Sequence, residues 1–207
     1  SEIRVASAFS QDQELLLKNK YELDVEIHQP GYIRAVVKKK NESTKVDWAH
    51  DSAWRFMPVE YFDDRGFCLH SIDLAINKTL ALAGRDEPRD YLDVHDIDKR
   101  ILKLGYLCWA ACGKDPGFSP RSLLELLKRR GKYREEDFKR LKLNMKIDLI
   151  KLKTDWLKML EEAETTINML PAKDVGCLYY SSKEKKFVNT REGASPHFGK
   201  MGGVIPQ

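Results

Sequence analysis

The sequence has no apolar stretch that approaches the roughly 20 residues needed for a membrane-spanning helix. Its first residues, SEIRVASAFSQ, lack the basic start and the long apolar core of a secretion signal. The four cysteines form no CxxC pair. Two of them, Cys108 and Cys112, are spaced as buried thiols on one helix face rather than as metal ligands. These absences predict no membrane partner and a location in the reducing cytoplasm.

Internal repeats and low-complexity linkers are also missing. The chain has 207 residues, of which 42% are hydrophobic and 33% charged, so we expect one large or two small globular domains. The net charge is only +4, but basic residues cluster at 38–40, at 128–132 and through 139–153. Such patches are typical either of polyanion binding or of solvated helix faces, and the sequence leaves both open.

The first third of the chain alternates between apolar and polar residues. After a predicted helix over 3–20, residues 21–27 (YELDVEI) alternate as a strand with one buried side. Pro30-Gly31 predicts a turn, and residues 32–37 and 44–49 predict two further strands. Residues 54–62 could add a short strand interrupted by Pro58.

The later part of the chain has helical periodicity and helix-end signals. Gly84 is placed to end one helix, and Ser119 followed by Pro120 is placed to begin another. The predicted fold is α+β, a small mixed or antiparallel sheet followed by a helical C-terminal half. The predicted divisions are a sheet domain over 1–66, a helical domain over 67–180 and an irregular tail over 181–207. The predicted helices span 70–84, 87–101, 102–112, 121–130, 134–143 and 146–169.

One lysine, Lys78, interrupts the apolar helix of residues 70–84. A buried lysine without a partner is costly, so Lys78 either extends to solvent or points into a site with negative charge. A compact lysine ammonium is well suited to bind phosphate. Residue chemistry alone favours the solvent-directed interpretation.

A dense arginine–aspartate cluster follows this helix. Asp90 and Asp93 share a helix face, with Arg85 and Arg89 nearby. Acidic residues at a helix start and an (i, i+4) ion pair between Arg89 and Asp93 would explain the cluster structurally. Asp47, in the predicted strand TKVDWA, projects from a sheet face where it could hold a hard cation or simply face solvent.

Taken together, LAINKTLALAGRDEPRDYLDVHDI (74–97) resembles the lysine and arginine–aspartate motifs of the AbiEii-like nucleotidyltransferases. These are toxins and toxin-like enzymes of bacterial abortive-infection and toxin–antitoxin systems. The family pattern Leu-Ala-x-x-Lys, then Arg-Asp-x-x-Asp, reads here as Leu74, Ala75 and Lys78, then Arg89, Asp90 and Asp93. The resemblance is clear over about residues 44–100. It implies Mg²⁺-dependent transfer of a nucleoside monophosphate from a triphosphate to an acceptor such as RNA, and an antitoxin as a partner.

The resemblance also implies roles for six residues. Lys78, Asp90 and Asp93 would be catalytic: Lys78 would meet the triphosphate, and an aspartate would position the lysine, a metal-bound water or the acceptor. Lys78, Arg85 and Arg89 would bind the nucleotide, and Asp47 would ligate the metal.

The sequence departs from the family pattern at one motif. The family's Gly-Ser followed by an aspartate pair, which supplies most metal ligands, has no counterpart here, because no Gly-Ser dipeptide occurs. We therefore expect a truncated chain with an incomplete active site. The alternatives are a degenerate module that binds nucleotide or RNA without catalysis, and a helical interaction domain presenting residues 146–169. Asp24 and Glu26, on one strand face, are weak candidates to replace the missing carboxylates.

Overall fold

A computed structural model describes residues 2–141, 143 and 147–207. The chain divides into two compact units, residues 1–52 and residues 53–207. The sequence placed its first boundary at residue 66 instead. Residues 53–66 group with the second unit because strand β4 (Trp54–Arg55) pairs with strand β10 (Lys200–Met201) near the end of the chain.

The first unit is one helix on a three-stranded antiparallel sheet. Helix α1 (Glu2–Lys18) precedes β1 (Glu22–Gln29), β2 (Tyr32–Lys39) and β3 (Glu42–Ala49), which lie in the order β1-β2-β3. The tight turn between β1 and β2 uses Gly31, whose φ of 76° suits glycine. A small core joins the helix to the sheet, and its buried members are Val5, Phe9, Ile33, Ala35 and Trp48.

The alternation predicted for β3 is confirmed, whereas β1 is less regular than its sequence. Val46 and Trp48 face the core, and Lys45 and Asp47 are exposed. In β1, a register shift between Val25 and Ile27 leaves Val25 40% exposed. Such an irregularity displaces side chains from the alternating pattern.

The second unit contains most of the helices. Its elements before the long helix are the hairpin β5 (Glu60–Phe62) and β6 (Gly66–Cys68), then α2 (Ser71–Gly84), α3 (Pro88–Arg100), α4 (Leu104–Lys114), α5 (Pro120–Lys128) and α6 (Glu135–Lys139). Helix α7 (Leu149–Met169) follows, then a short 3₁₀ helix (Ala172–Asp174), β7 (Cys177–Ser181), β8 (Lys186–Phe187) and β9 (Ser195–Phe198).

Several predicted helix ends are confirmed. Ser119 caps α5, accepting a hydrogen bond from the Ser122 amide, and Pro120 is the first helical residue. Helix α6 is much shorter than the predicted span 134–143. Residue 146, where the last helix was predicted to begin, lies outside the described residues. Only part of the apolar face of α7 is core: Trp156, Met159, Leu160, Ala163 and Ile167 are buried. Ile150 and Leu157 are exposed instead.

The fold class is confirmed: the protein is α+β, with small antiparallel sheets and helices in the C-terminal half. The prediction of an irregular tail over 181–207 was wrong in part, because short strands interrupt the irregular segment. Residues Ser195–Phe198 pair with β7, and Lys186–Phe187 pair with its other edge. Backbone hydrogen bonds to β7 hold these short strands in place. The local sequence does not predict this pairing. In the described part of the chain, no helix combines the length and apolarity needed to cross a membrane.

Candidate functional site

The lysine of the motif lies on α2, a helix that is apolar on most sides. The helix starts where the His70 ring accepts a hydrogen bond from the Ile72 amide at 3.1 Å. Lys78 sits between the buried and exposed faces, with its side chain 35% exposed. The second predicted alternative is therefore confirmed: the ammonium of Lys78 points towards negative charge while staying partly accessible, and the solvent-directed interpretation was wrong. The buried residues of α2 are Ile72, Asp73, Ala75, Ile76, Thr79, Leu82 and Ala83.

Lys78 bridges two carboxylates of α3. Its Nζ lies 3.0 Å from Asp90 Oδ1 and 2.8 Å from Asp93 Oδ2. Both aspartates face α2 because residues three apart lie on one side of a helix. The side chain of Asp90 is 1% exposed and that of Asp93 is 39% exposed. The bridge thus joins a buried anion to an accessible one.

Arg85, the first residue after α2, is a second cation on Asp90. Its Nε donates to Asp90 Oδ2 at 2.7 Å, and its Nη2 lies 3.4 Å from Oδ1. Arg89 is exposed, and it forms no ion pair with any residue that the structure describes. The predicted pair between Arg89 and Asp93 is wrong, because Asp93 pairs with Lys78 instead.

Each charged group of the cluster stabilises the charged form of its partner. Burial acts to raise the pKa of Asp90, but hydrogen bonds from Arg85 and Lys78 outweigh it and lower that pKa below 3.8. Burial likewise acts to lower the pKa of Lys78, and hydrogen bonds to Asp93 and Asp90 raise it above 10.5. The hydrogen bond to Asp90 raises the pKa of Arg85. Lys78 and Arg85 therefore stay cationic and Asp90 stays anionic at neutral pH.

Two side chains that sequence reasoning missed hold the end of α2. Arg130 donates from its guanidinium to the carbonyl oxygens of Leu82 and Ala83, which end α2. Cations are favoured at a helix C-terminus, where carbonyls lack helical partners. The Tyr133 hydroxyl donates to the carboxylate of Asp86 in the same turn. Part of the predicted basic run at 128–132 therefore has an internal structural role.

The remaining aspartates of the cluster have separate roles. Asp98 is buried, accepting hydrogen bonds from the Leu104 amide and from Lys103 Nζ, both at 2.8 Å. It thereby holds the start of α4. Asp96 is half-exposed and forms an (i, i+4) ion pair with Arg100. Neither residue contacts the Lys78 cluster in any contact that the structure describes.

Asp47, the predicted metal ligand, lies on β3 of the first unit, opposite Arg34 on β2. Arg34 donates from Nε to Oδ1 at 2.7 Å and from Nη2 to Oδ2 at 3.1 Å. These hydrogen bonds lower the pKa of Asp47. Both carboxylate oxygens therefore accept from the guanidinium of Arg34, which compensates the charge of Asp47 within the sheet.

The other candidates do not supply a metal site either. Asp24 and Glu26 form ion pairs with Lys38 and Lys45. Within the described ranges, no group of three or more His, Cys, Asp or Glu side chains is placed to hold a metal ion. The described residues therefore do not fit the magnesium site that the resemblance implies.

A buried aromatic cluster on α3 and α7 was also missed. The ring of His95 lies 4.7 Å from that of Tyr91 and 5.5 Å from that of Trp156, centroid to centroid. Neither ring nitrogen of His95, nor Tyr91 Oη, nor Trp156 Nε1 has a hydrogen-bond partner among the described residues. The spacing of Tyr91 and His95, four apart on α3, was the only local signal.

The structure thus brings together four of the six predicted site residues: Lys78, Arg85, Asp90 and Asp93. Arg89 lies on the same helix as the aspartates without an ion pair within the described part. Asp47 lies in the other compact unit and is held by Arg34. Comparison of the chain with family models, curated proteins and solved structures finds no match.

Proposed function

We propose that the Lys78 cluster binds the phosphate groups of a nucleoside triphosphate, as part of a nucleotidyltransferase of the AbiEii-like type. Lys78 would stabilise the charge of the triphosphate and of the leaving pyrophosphate. Asp90 would position the lysine, and Arg85 and Arg89 would add phosphate contacts.

The observation that carries this proposal is the partly exposed ammonium of Lys78, which Asp90 and Asp93 hold in place. Arg85 is a second cation on the buried carboxylate of Asp90, so Lys78 shares the compensation of that charge with it. An ammonium group has three donors, and Lys78 uses one on Asp90 and one on Asp93. The third has no partner among the described residues and belongs to a group that is 35% exposed. A phosphate oxygen is a suitable acceptor for it.

Asp93 makes the site adjustable. Its half-exposed carboxylate can hydrate when an anion replaces it at Lys78, whereas buried Asp90 keeps the lysine in place. The arrangement therefore combines a fixed cation with one exchangeable partner.

The second candidate is a nucleotide- or RNA-binding module without catalysis. The described carboxylates favour this non-catalytic module, because they form no group of three or more that could hold a metal ion. We therefore expect this chain to bind triphosphate but to show weak or no magnesium-dependent transfer to RNA. Transfer requires further carboxylates, such as those of the family's Gly-Ser and Asp-x-Asp motif. RNA as acceptor and an antitoxin as partner stay predictions of the resemblance.

The decisive experiment measures binding of the four nucleoside triphosphates, and of inorganic tripolyphosphate, by calorimetry. Lys78→Met should weaken binding at least tenfold, because a neutral side chain of similar length removes the charge. Lys128→Met is the matched control: Lys128 also bridges two carboxylates, Glu125 and Glu164, and is 32% exposed. Equal affinity of the Lys78→Met variant and the wild type would show that the lysine only joins α2 to α3.

A labelling assay separates the two candidate functions. The chain is incubated with magnesium, RNA and each α-labelled nucleoside triphosphate. Efficient labelling of RNA that Lys78→Met abolishes would establish catalysis by this chain. Lys78-dependent triphosphate binding without labelling would support the binding module, or a transferase that needs further residues.

A further inference from the structure

A cleft of about 510 Å³ lies between α3 and α7, next to the Lys78 cluster. Its size is within the range of about 300–1,000 Å³ typical of small-molecule sites. The lining combines apolar side chains with charged ones, a composition that suits an amphipathic organic ligand. Among its lining residues are Leu92, Ile147, Leu152, Lys99, Lys151 and Asp155.

His95 also lines this cleft, and its ring makes no hydrogen bond to the described part of the chain. The residue is 3% exposed, and neither ring nitrogen has a partner within the described ranges. Buried polar groups are nearly always paired, because an unpaired one loses its hydration without compensation. Tyr91 Oη and Trp156 Nε1, on rings that contact His95, are unpaired in the same way.

The chemistry of this cluster selects a class of ligand. Burial and the nearby charge of Lys99 lower the pKa of His95 to about 4, so the ring is neutral at physiological pH. A neutral imidazole offers one donor and one acceptor. A flat heterocycle that has both acceptors and donors on its edge, and an apolar face, matches the unused groups and the apolar lining.

Asp93 connects this cleft with the phosphate site. It lines the cleft and also holds Lys78 Nζ at 2.8 Å. We propose that the α3–α7 cleft binds the nucleobase of the triphosphate whose phosphates contact Lys78, with His95 as the residue that reads the edge of the base. This inference rests on the proposed function for the identity of its ligand. The ring nitrogens are closed to solvent, so the base must displace the side chains that cover them.

The test uses nucleosides, which lack phosphate and so report on the cleft alone. Adenosine, cytidine, uridine and inosine, a soluble analogue of guanosine, are titrated into the chain carrying ¹⁵N-labelled histidine. At least one nucleoside should shift both ring-nitrogen resonances of His95 in a saturable way. If none of the four shifts them, the inference is overturned, and this wild-type measurement needs no variant.

Variants then test whether His95 makes the contact. His95→Phe keeps an aromatic ring among Tyr91 and Trp156 but removes both nitrogens, so the affinity for the bound nucleoside should fall at least tenfold. His50→Phe, at an exposed histidine of the first unit, should leave that affinity unchanged. Unchanged affinity of His95→Phe would also overturn the inference.

Tripolyphosphate separates this inference from the proposed function. Lys78-dependent binding of tripolyphosphate, without any nucleoside effect at His95, overturns the base site and leaves the phosphate site standing. A nucleoside effect at His95 without tripolyphosphate binding supports the cleft and overturns the phosphate role of Lys78.

Discussion

Lys78 on α2 and Asp90 on α3 form an ion pair, with Nζ 3.0 Å from Oδ1, in which the aspartate is 1% exposed and the lysine 35% exposed. The pair is therefore asymmetric: its anion belongs to the protein interior and its cation to the surface. Asp93, at the surface, is the second partner of the lysine, with Oδ2 2.8 Å from Nζ. The buried Asp90 therefore joins the two helices, whereas the partly exposed Lys78 and Asp93 remain accessible to a ligand. Substitutions at each carboxylate test this difference.

Asp90→Asn and Asp93→Asn should have very different effects on stability. Asp90→Asn weakens the charge-assisted hydrogen bonds that Lys78 and Arg85 donate to a buried acceptor, and such a loss costs about 1.5–3 kcal/mol. Asp93→Asn removes one accessible ion-pair partner and should cost less than about 1 kcal/mol. Urea denaturation of both variants measures the difference. Similar losses for the two would contradict the asymmetry.

Asp98 and Asp96 provide a second matched pair on the same helix. Asp98→Ala should lower the free energy of unfolding by about 2 kcal/mol, because the buried Leu104 amide and Lys103 lose their acceptor. Asp96→Ala removes only a surface pair with Arg100 and should change stability by less than about 0.5 kcal/mol. Thermal unfolding followed by circular dichroism compares them. A loss for Asp96→Ala as large as that for Asp98→Ala would refute this assignment.

Gly105 marks a close approach of α4 to α7. A Cβ atom at this position would lie 2.7 Å from Thr166 Cβ and 3.0 Å from Ala163 Cα. Gly105→Ala should therefore destabilise the protein by about 1–3 kcal/mol, although alanine favours helix. Gly84→Ala is the control, because its Cβ would meet nothing within 4 Å. That variant should be neutral or more stable by up to about 1 kcal/mol in chemical denaturation. An unchanged free energy of unfolding in Gly105→Ala would contradict this prediction and show that α7 can shift to make room for the methyl group.

Acid should weaken the fold through His95. Its pKa is about 4 in the folded protein, from burial and Lys99, against 6.5 for a free histidine. Between these values the unfolded chain binds more protons, so the free energy of unfolding falls as pH drops from about 6.5 to about 4. Protonation of His95 therefore lowers the free energy of unfolding by as much as about 3 kcal/mol below pH 4, and it has no effect above about pH 6.5. Urea denaturation at a series of pH values measures it.

His95→Phe is the control for this acid effect. Phenylalanine cannot take up a proton, so the variant should lose the His95 part of the pH dependence. It should also be at least as stable as the wild type near pH 7, because it removes two buried nitrogens that have no partner among the residues the structure describes. An unchanged pH dependence in His95→Phe would place the acid sensitivity elsewhere.

The sequence by itself determined most of the local structure. Alternation placed β2 and β3, and helical periodicity with its end signals placed α2, α3 and α5, including the Ser119 cap. These features depend on neighbours within a few residues, and such short-range preferences are readable from the chain. The shared helix face of Asp90 and Asp93, and the unusual position of Lys78, were readable for the same reason.

Only the tertiary structure decided the partners. Asp93 pairs with Lys78 rather than Arg89, and Asp47 pairs with Arg34. Arg130 binds the carbonyl groups at the end of α2. Short strands pair within the tail that was predicted to be irregular. The tertiary structure also placed His95 beside Trp156, far along the chain. Each of these contacts joins separate elements, so it depends on how those elements pack. Packing is a property of the folded chain that no local pattern contains.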